Sequence, residues 1–169
     1  MPPYGQRDAT HEEFPVLLTE FNTTDVRPLL TECLAVPRWV DAVLAGRPYA
    51  DLDALKAAAD LPLSSDEIRQ AMAAHPRIGE QPKHSGTDAA WSRSEQSGVD
   101  NADAFAAANA EYEAKFGHVY LVCASGRGGE ELLKILRARL DNDPATELAV
   151  AGRELLKIAE LRLAKAVTA

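Results

Sequence analysis

A chain of 169 residues is long enough for one domain with a real core, and a formal charge of −8 argues against nucleic acid or an anionic membrane as its main partner. Aromatic residues make up only 6%, alanine and leucine dominate, and β-branched runs are scarce, so helix is favoured over sheet. The diffuse negative field does not exclude an anionic small substrate, because one local cation outweighs it at contact distance.

The opening MPPYGQRDAT has no apolar stretch of signal-peptide length, and residues 1–9 read as a loose tail. Helical patterning then runs nearly to the end, broken by short Pro, Gly and Ser punctuation. The pattern predicts a first helix from Thr10 to about Phe21 and a second from Thr24 to Leu34, with Asp25 near its start. Pro37 opens a third, PRWVDAVLAG, which Gly46 closes. DLDALKAAAD is a fourth, and Ser65 caps a fifth that carries Ile68, Ala71 and Met72 toward His75. Residues 80–90 read as a loop, and AAWSRSEQ as a short helix that stops at Gly98. Asn101 caps a long helix ended by Gly117.

VYLVC is the only strand-like run, too short and solitary to make a sheet, and Gly126, Gly128 and Gly129 form a turn after it. Helices over Glu130–Asn142 and Pro144–Val167 finish the chain. No stretch approaches a membrane span, and AKAVTA is not a peroxisomal address. Cys33 and Cys123 lie far apart without metal-ligand spacing, the usage of a reducing cytoplasm. The expectation is an all-α, single-domain bundle of about eight helices over residues 1–169.

Three residues stand out within that frame. At 100° per residue, Leu148, Ala151, Leu155, Leu156, Ile158, Ala159, Leu163 and Ala166 share one face of the last helix. Arg153, Lys157 and Glu160 lie opposite, whereas Arg162 falls near the middle of the apolar stripe. A guanidinium aimed at a core needs a carboxylate, a set of carbonyls or an anionic ligand. A buried Arg–Glu pair, an interface contact and a ligand clamp all meet that need.

His75 continues the inner face of its helix, and Pro76 disfavours α geometry at 75, so the histidine marks the last turn. There the helix dipole favours the imidazolium. A side chain starting near pKa ~6.5 then becomes a usable acid. A hydrogen-bonded core histidine fits the pattern too. Glu95, four residues after Trp91, is either a solvated helix charge or, packed under the indole, a carboxyl lifted toward general-acid range. No HExxH, CxxC pair or carboxylate cluster points to a metal, and GRGG lacks the lysine and the parallel sheet of a phosphate loop.

Taken in order, HPRIGE, SRSEQ, KFGHVYLVCASGR and ELLKIAELRL resemble the 2-oxo-4-hydroxy-4-carboxy-5-ureidoimidazoline (OHCU) decarboxylases of urate breakdown, over nearly the whole chain. The resemblance implies an all-helical, cofactor-free, homodimeric enzyme that yields (S)-allantoin. It assigns His75 as the catalytic histidine and Pro76 as its neighbour, with Glu95 and Arg162 as the other charged groups of the site. Ser92, Glu95 and Gln96 become a polar substrate-binding run. Tyr120, Leu121, Val122, Cys123 and Ala124 line the pocket largely through backbone groups. Urate oxidase and hydroxyisourate hydrolase are the implied pathway partners. One departure falls near the pocket: many members carry Phe-Gly-Phe-Pro-Phe where this chain has Phe116, Gly117, His118, Val119 and Tyr120. Two other readings stand beside the decarboxylase. One is a non-catalytic interaction module on the same scaffold, and the other an acid–base enzyme for a related ureido compound.

Overall fold

The computed structural model describes residues 15–73 and 102–169, which form eight helices and one two-stranded parallel pairing. In chain order these are β1 (Val16–Leu17), α1 (Leu18–Thr23), α2 (Arg27–Cys33), α3 (Pro37–Ala45), α4 (Leu52–Ala59) and α5 (Ser65–Met72). After residue 101 come α6 (Ala102–Phe116), α7 (Gly129–Arg139), α8 (Pro144–Ala166) and β2 (Val167–Thr168). The all-α expectation holds.

Local chemistry sets most helix limits. Pro37 occupies the first turn of α3 and Gly46 closes it. The Asp51 carboxylate accepts the Ala54 N–H at the start of α4, and Asp143 does the same for Thr146 at the start of α8. Gly117 ends α6 at φ +77°, a left-handed position that costs glycine little.

Several expected boundaries move, each for a visible reason. The cap of α5 is Ser64, not Ser65. Only Ser64 stands three residues before Glu67, and the two close a reciprocal capping box. The second helix starts at Arg27 because Asp25 turns its carboxylate onto the Arg27 N–H. Gly129 opens α7 with Gly128 as its cap, so only Gly126 of the three glycines sits in the turn. That helix ends at Arg139, short of Asn142.

At the chain's two ends, residues expected to be helical are extended instead. Val16 pairs with Val167 and Leu17 with Thr168, which starts α1 at Leu18 and ends α8 at Ala166. The expected Asn101 cap, the loop at 80–90 and the AAWSRSEQ helix lie outside the described residues.

Two apolar cores organise the chain. The larger surrounds α8, which touches α2, α4 and α5 and buries Leu148, Ala151, Leu155, Leu156, Ile158, Ala159, Leu163 and Ala166. Trp39 is fully buried in it and donates its indole N–H to the Ala59 carbonyl at 2.8 Å, tying α3 to α4. The smaller core lies between α6 and α7 and contains Phe105, Tyr112, Leu132 and Leu136. The strand-like run passes between them. Tyr120, Val122 and Ala124 enter the smaller core, while Leu121 and Cys123 enter the larger. That alternation is the period of an extended chain.

Candidate active site

The last helix delivers its arginine inward, as its periodicity predicts. Arg162 is 3% exposed, and its Nη1 donates to the Glu32 carbonyl at 3.1 Å. That carbonyl belongs to the final turn of α2, where helical C=O groups lack intrahelical partners and a cation is favoured. Of the needs a buried guanidinium has, a carbonyl therefore meets at least one. Arg153 and Lys157 face solvent from the opposite side of α8.

The run from Tyr120 to Ala124 is buried at every residue. Its main chain is held by charged side chains of the two neighbouring helices. Arg139 of α7 donates from Nη1 to the Leu121 carbonyl at 2.8 Å, and its guanidinium lies 4.8 Å from the centre of the Tyr120 ring. Glu154 of α8 accepts the Cys123 N–H on Oε2 at 3.2 Å. The Tyr120 hydroxyl donates to the Leu132 carbonyl at 3.1 Å.

Arg139 is itself paired. Its Nε donates to Glu147 Oε1 at 2.7 Å and its Nη2 meets the same oxygen. Glu147 is fully buried and also accepts from the Tyr112 hydroxyl at 2.5 Å and from Asn142 Nδ2 at 3.1 Å. Burial works against the Arg139 charge, but the Glu147 carboxylate more than offsets it and raises the guanidinium pKa. Burial, then the hydrogen bond to Glu147, lifts the Tyr112 hydroxyl well above its ordinary range. Tyr120 is lifted chiefly by burial.

Sequence reasoning missed Arg139, Glu147 and Glu154. A signal existed for two of them: the helical-wheel placement that flags Arg162 also puts Glu147 and Glu154 together on the margin of the apolar stripe.

A cavity of about 310 Å³ opens beside this run, lined by Lys56, Cys123, Lys157, Glu160, Leu161 and Ala164. It is at the small end of ligand-site volumes. Burial and the nearby Asp60 charge raise the Glu160 carboxyl above its usual range, with Lys56 opposing. Arg162 is not among its lining residues. The structure thus joins Cys123 to the cavity and sets Arg162 against α2.

Of the departures at 118–120, His118 and Tyr120 pack with the smaller core, and Val119 packs against the larger. The His118 ring packs on Phe116 and Tyr112, and Tyr120 is edge-on to Tyr112. His75, Pro76, Ser92, Glu95 and Gln96 lie outside the described residues. Among the described residues, no group of three or more His, Cys, Asp or Glu side chains is arranged to hold a metal ion, and no helix is long and apolar enough to cross a membrane.

Residues 19–164 match the OHCU decarboxylase family. A uric acid degradation bifunctional protein of Arabidopsis thaliana is 35% identical over 144 residues, covering 79% of this chain and 44% of the plant protein. The chain therefore spans less than half the length of that relative. The 2-oxo-4-hydroxy-4-carboxy-5-ureidoimidazoline decarboxylase of Amia calva is 36% identical over 134 residues, covering 72% of this chain and 75% of the fish protein. Among solved structures, an OHCU decarboxylase crystallised in the presence of (S)-allantoin superposes with a TM-score of 0.65 at 28% identity, covering 79% of this chain and 93% of that one. An (S)-allantoin synthase shares the fold at a TM-score of 0.60 and 20% identity, covering 88% of this chain and 53% of its own.

Proposed function

The chain belongs to the OHCU decarboxylase family, and from that premise we propose that it converts OHCU to (S)-allantoin in urate degradation, as a carboxy-lyase needing no cofactor. The family match over residues 19–164 carries the reading. Supporting it are the buried guanidinium of Arg162 and a fold shared with an OHCU decarboxylase crystallised in the presence of (S)-allantoin.

Decarboxylation needs a sink for the electron pair of the broken C–C bond, commonly a cofactor. The OHCU ring holds its own, a C=N bond next to the carbon that carries the carboxylate. As carbon dioxide leaves, that pair forms a C=C bond to the neighbouring carbon, and the C=N pair moves onto nitrogen, which takes a proton. The resulting enol gives up its hydroxyl proton, and the neighbouring carbon receives one on a single face. The protein supplies position, charge placement and an oriented acid.

His75 and Glu95 form the acid–base pair in this proposal, and Arg162 anchors an anionic or carbonyl part of the substrate. Ser92, Gln96 and main-chain groups of Leu121–Cys123 hold the ureido and ring amides, beside Pro76, Tyr120 and Ala124. The enzyme works as a homodimer in the cytoplasm, downstream of urate oxidase and hydroxyisourate hydrolase.

Circular dichroism during urate oxidation tests the reading, with those two enzymes generating the substrate in place. Rapid growth of the (S)-allantoin signal is expected, slowed about 10²–10⁴-fold in His75→Ala. A loss under about tenfold removes His75 from the catalytic role. Equal, slow formation of racemic allantoin with and without the protein overturns the decarboxylase.

A further inference from the structure

Arg139 and Glu154 hold two atoms of the same short run, the Leu121 carbonyl and the Cys123 N–H. Those atoms belong to the two peptide units on either side of Val122. Both units are trans, since the cis bond among the described residues is Arg47–Pro48. In a planar trans peptide the C=O and N–H point in opposite directions. Holding the Leu121 carbonyl against α7 therefore turns the Val122 N–H away from Arg139. Holding the Cys123 N–H against α8 turns the Val122 carbonyl away from Glu154.

The side chains agree: Val122 enters one core while Leu121 and Cys123 enter the other, so the run is extended and both Val122 polar groups share one edge. Among the described residues, no main-chain hydrogen bond involves Val122.

A purely structural role does not call for this chemistry. A buried ion pair is often no more stable than well-packed apolar residues of similar volume. An apolar pair cannot fork between a carboxylate and a carbonyl, as Arg139 does between Glu147 and Leu121.

We infer that Arg139 and Glu154 are positioning residues, which fix the two peptide planes flanking Val122 and present its N–H and C=O as a donor–acceptor pair to the ureido end of the substrate. A ureido group offers the complementary C=O and N–H side by side. The inference rests on the decarboxylase reading above and adds to it two side chains that do not touch the substrate.

The test compares kcat and KM for the unsubstituted protein, Glu154→Gln, Glu154→Met and Arg139→Lys, in the coupled circular dichroism assay below each protein's melting transition. Glu154→Met is expected to raise KM on the order of tenfold, the worth of about one hydrogen bond, with kcat much less affected. Glu154→Gln retains an oxygen that accepts the Cys123 N–H, and its KM stays near the unsubstituted value. Arg139→Lys keeps a charge for Glu147 but loses the fork, so its KM rises too. If Glu154→Met fails to fold, the Gln and Lys variants decide.

Lowered melting temperatures with unchanged KM would reduce both residues to structural parts and overturn the inference. Equal losses in Glu154→Gln and Glu154→Met would do the same, because the effect would then follow charge and not the hydrogen bond. An unsubstituted protein that fails to speed (S)-allantoin formation is a separate result: it removes the decarboxylase, and the inference falls with it.

Discussion

Arg162 in the last helix donates to the main-chain carbonyl of Glu32, 130 positions earlier, and so fastens α8 to the end of α2. The contact gives the guanidinium a structural task alongside its proposed hold on the substrate, and substitution separates the two. Arg162→Met fills a similar volume but leaves the Glu32 carbonyl without this donor, which costs about 1–3 kcal/mol. Activity is expected to fall much further, roughly a hundredfold or more in kcat/KM, as when a fixed donor to reacting charge is removed. Thermal melting and initial rates on the same preparations check both. Lost stability with an unchanged rate would leave Arg162 as a capping residue only.

The Arg139–Glu147 pair is the most deeply buried ion pair among the described residues, with side chains 7% and 0% exposed. Breaking one half strands the other charge away from water. Glu147→Leu also removes the acceptor of the Tyr112 hydroxyl. The single variant is expected to lose about 3–5 kcal/mol of stability, and Arg139→Met with Glu147→Leu to recover most of it. Urea-unfolding midpoints for the four members of this cycle measure the coupling. If the double variant stays as unstable as Glu147→Leu alone, the pair contributes more than its own charge balance. The recovered double variant, lacking the Leu121 anchor, should still show a raised KM.

Long periodic segments and short signals fared differently in the sequence. The face of α8 was legible because 23 residues repeat one pattern, and the same pattern exposed Arg162 as an arginine aimed inward. Pro37 and Gly46 marked α3 by backbone chemistry alone. The β1–β2 pairing was not legible: two residues at each end are too few to show a period, and their partners are at opposite ends of the chain. Adjacent serines at 64 and 65 blurred the α5 cap, which only the spacing to Glu67 resolves. VYLVC reads as strand-like, and its residues do alternate between the two cores, but the strands among the described residues are Val16–Leu17 and Val167–Thr168. The main chain of VYLVC is held by Arg139 and Glu154, a tertiary arrangement that no single segment encodes. Of the candidate site, Arg162 and the 120–124 run are placed, while His75, Pro76, Ser92, Glu95 and Gln96 lie outside the described residues.

Acid should weaken α5 through one carboxylate. Glu67 accepts from Arg38 Nε at 2.9 Å and Nη2 at 2.8 Å, and from the Ser64 N–H at 2.8 Å. The Arg38 hydrogen bond, followed by the Ser64 main chain, lowers its pKa from 4.5 to about 2. A folded-state pKa below the unfolded one adds stability that is complete above about pH 5 and is lost as pH falls toward 2. Glu67→Gln should therefore melt below the unsubstituted protein at neutral pH, with the gap closing between about pH 5 and pH 2. Arg38 is half exposed, so solvent screening keeps the gap small, and added salt should shrink it further. Melting curves across that pH range decide: a gap that persists unchanged at pH 2 would assign the effect to packing and not to charge.

Close approach of α5 to α8 gives the last prediction, in which one substitution changes sign with its neighbour. A Cβ placed on Gly152 would lie 2.6 Å from Ile68 Cδ1 and 3.1 Å from its Cγ1. Alanine in mid-helix is worth about 1 kcal/mol over glycine. Forcing a methyl into a packed contact typically costs about 1–3 kcal/mol. The steric cost should win because Ile68 is buried and has little room to turn, so Gly152→Ala destabilises. Ile68→Val removes Cδ1, the atom in conflict, at its own cost of about 0.5–1.5 kcal/mol. On that background Gly152→Ala meets no Cδ1. The remaining 3.1 Å approach to Cγ1 needs a shift of only a few tenths of an ångström, which the space vacated by Cδ1 gives, so helix propensity should make the change stabilising. Unfolding free energies of the two single variants and the double variant check the reversal. If Gly152→Ala destabilises equally in both backgrounds, the helices are held apart by something other than Ile68.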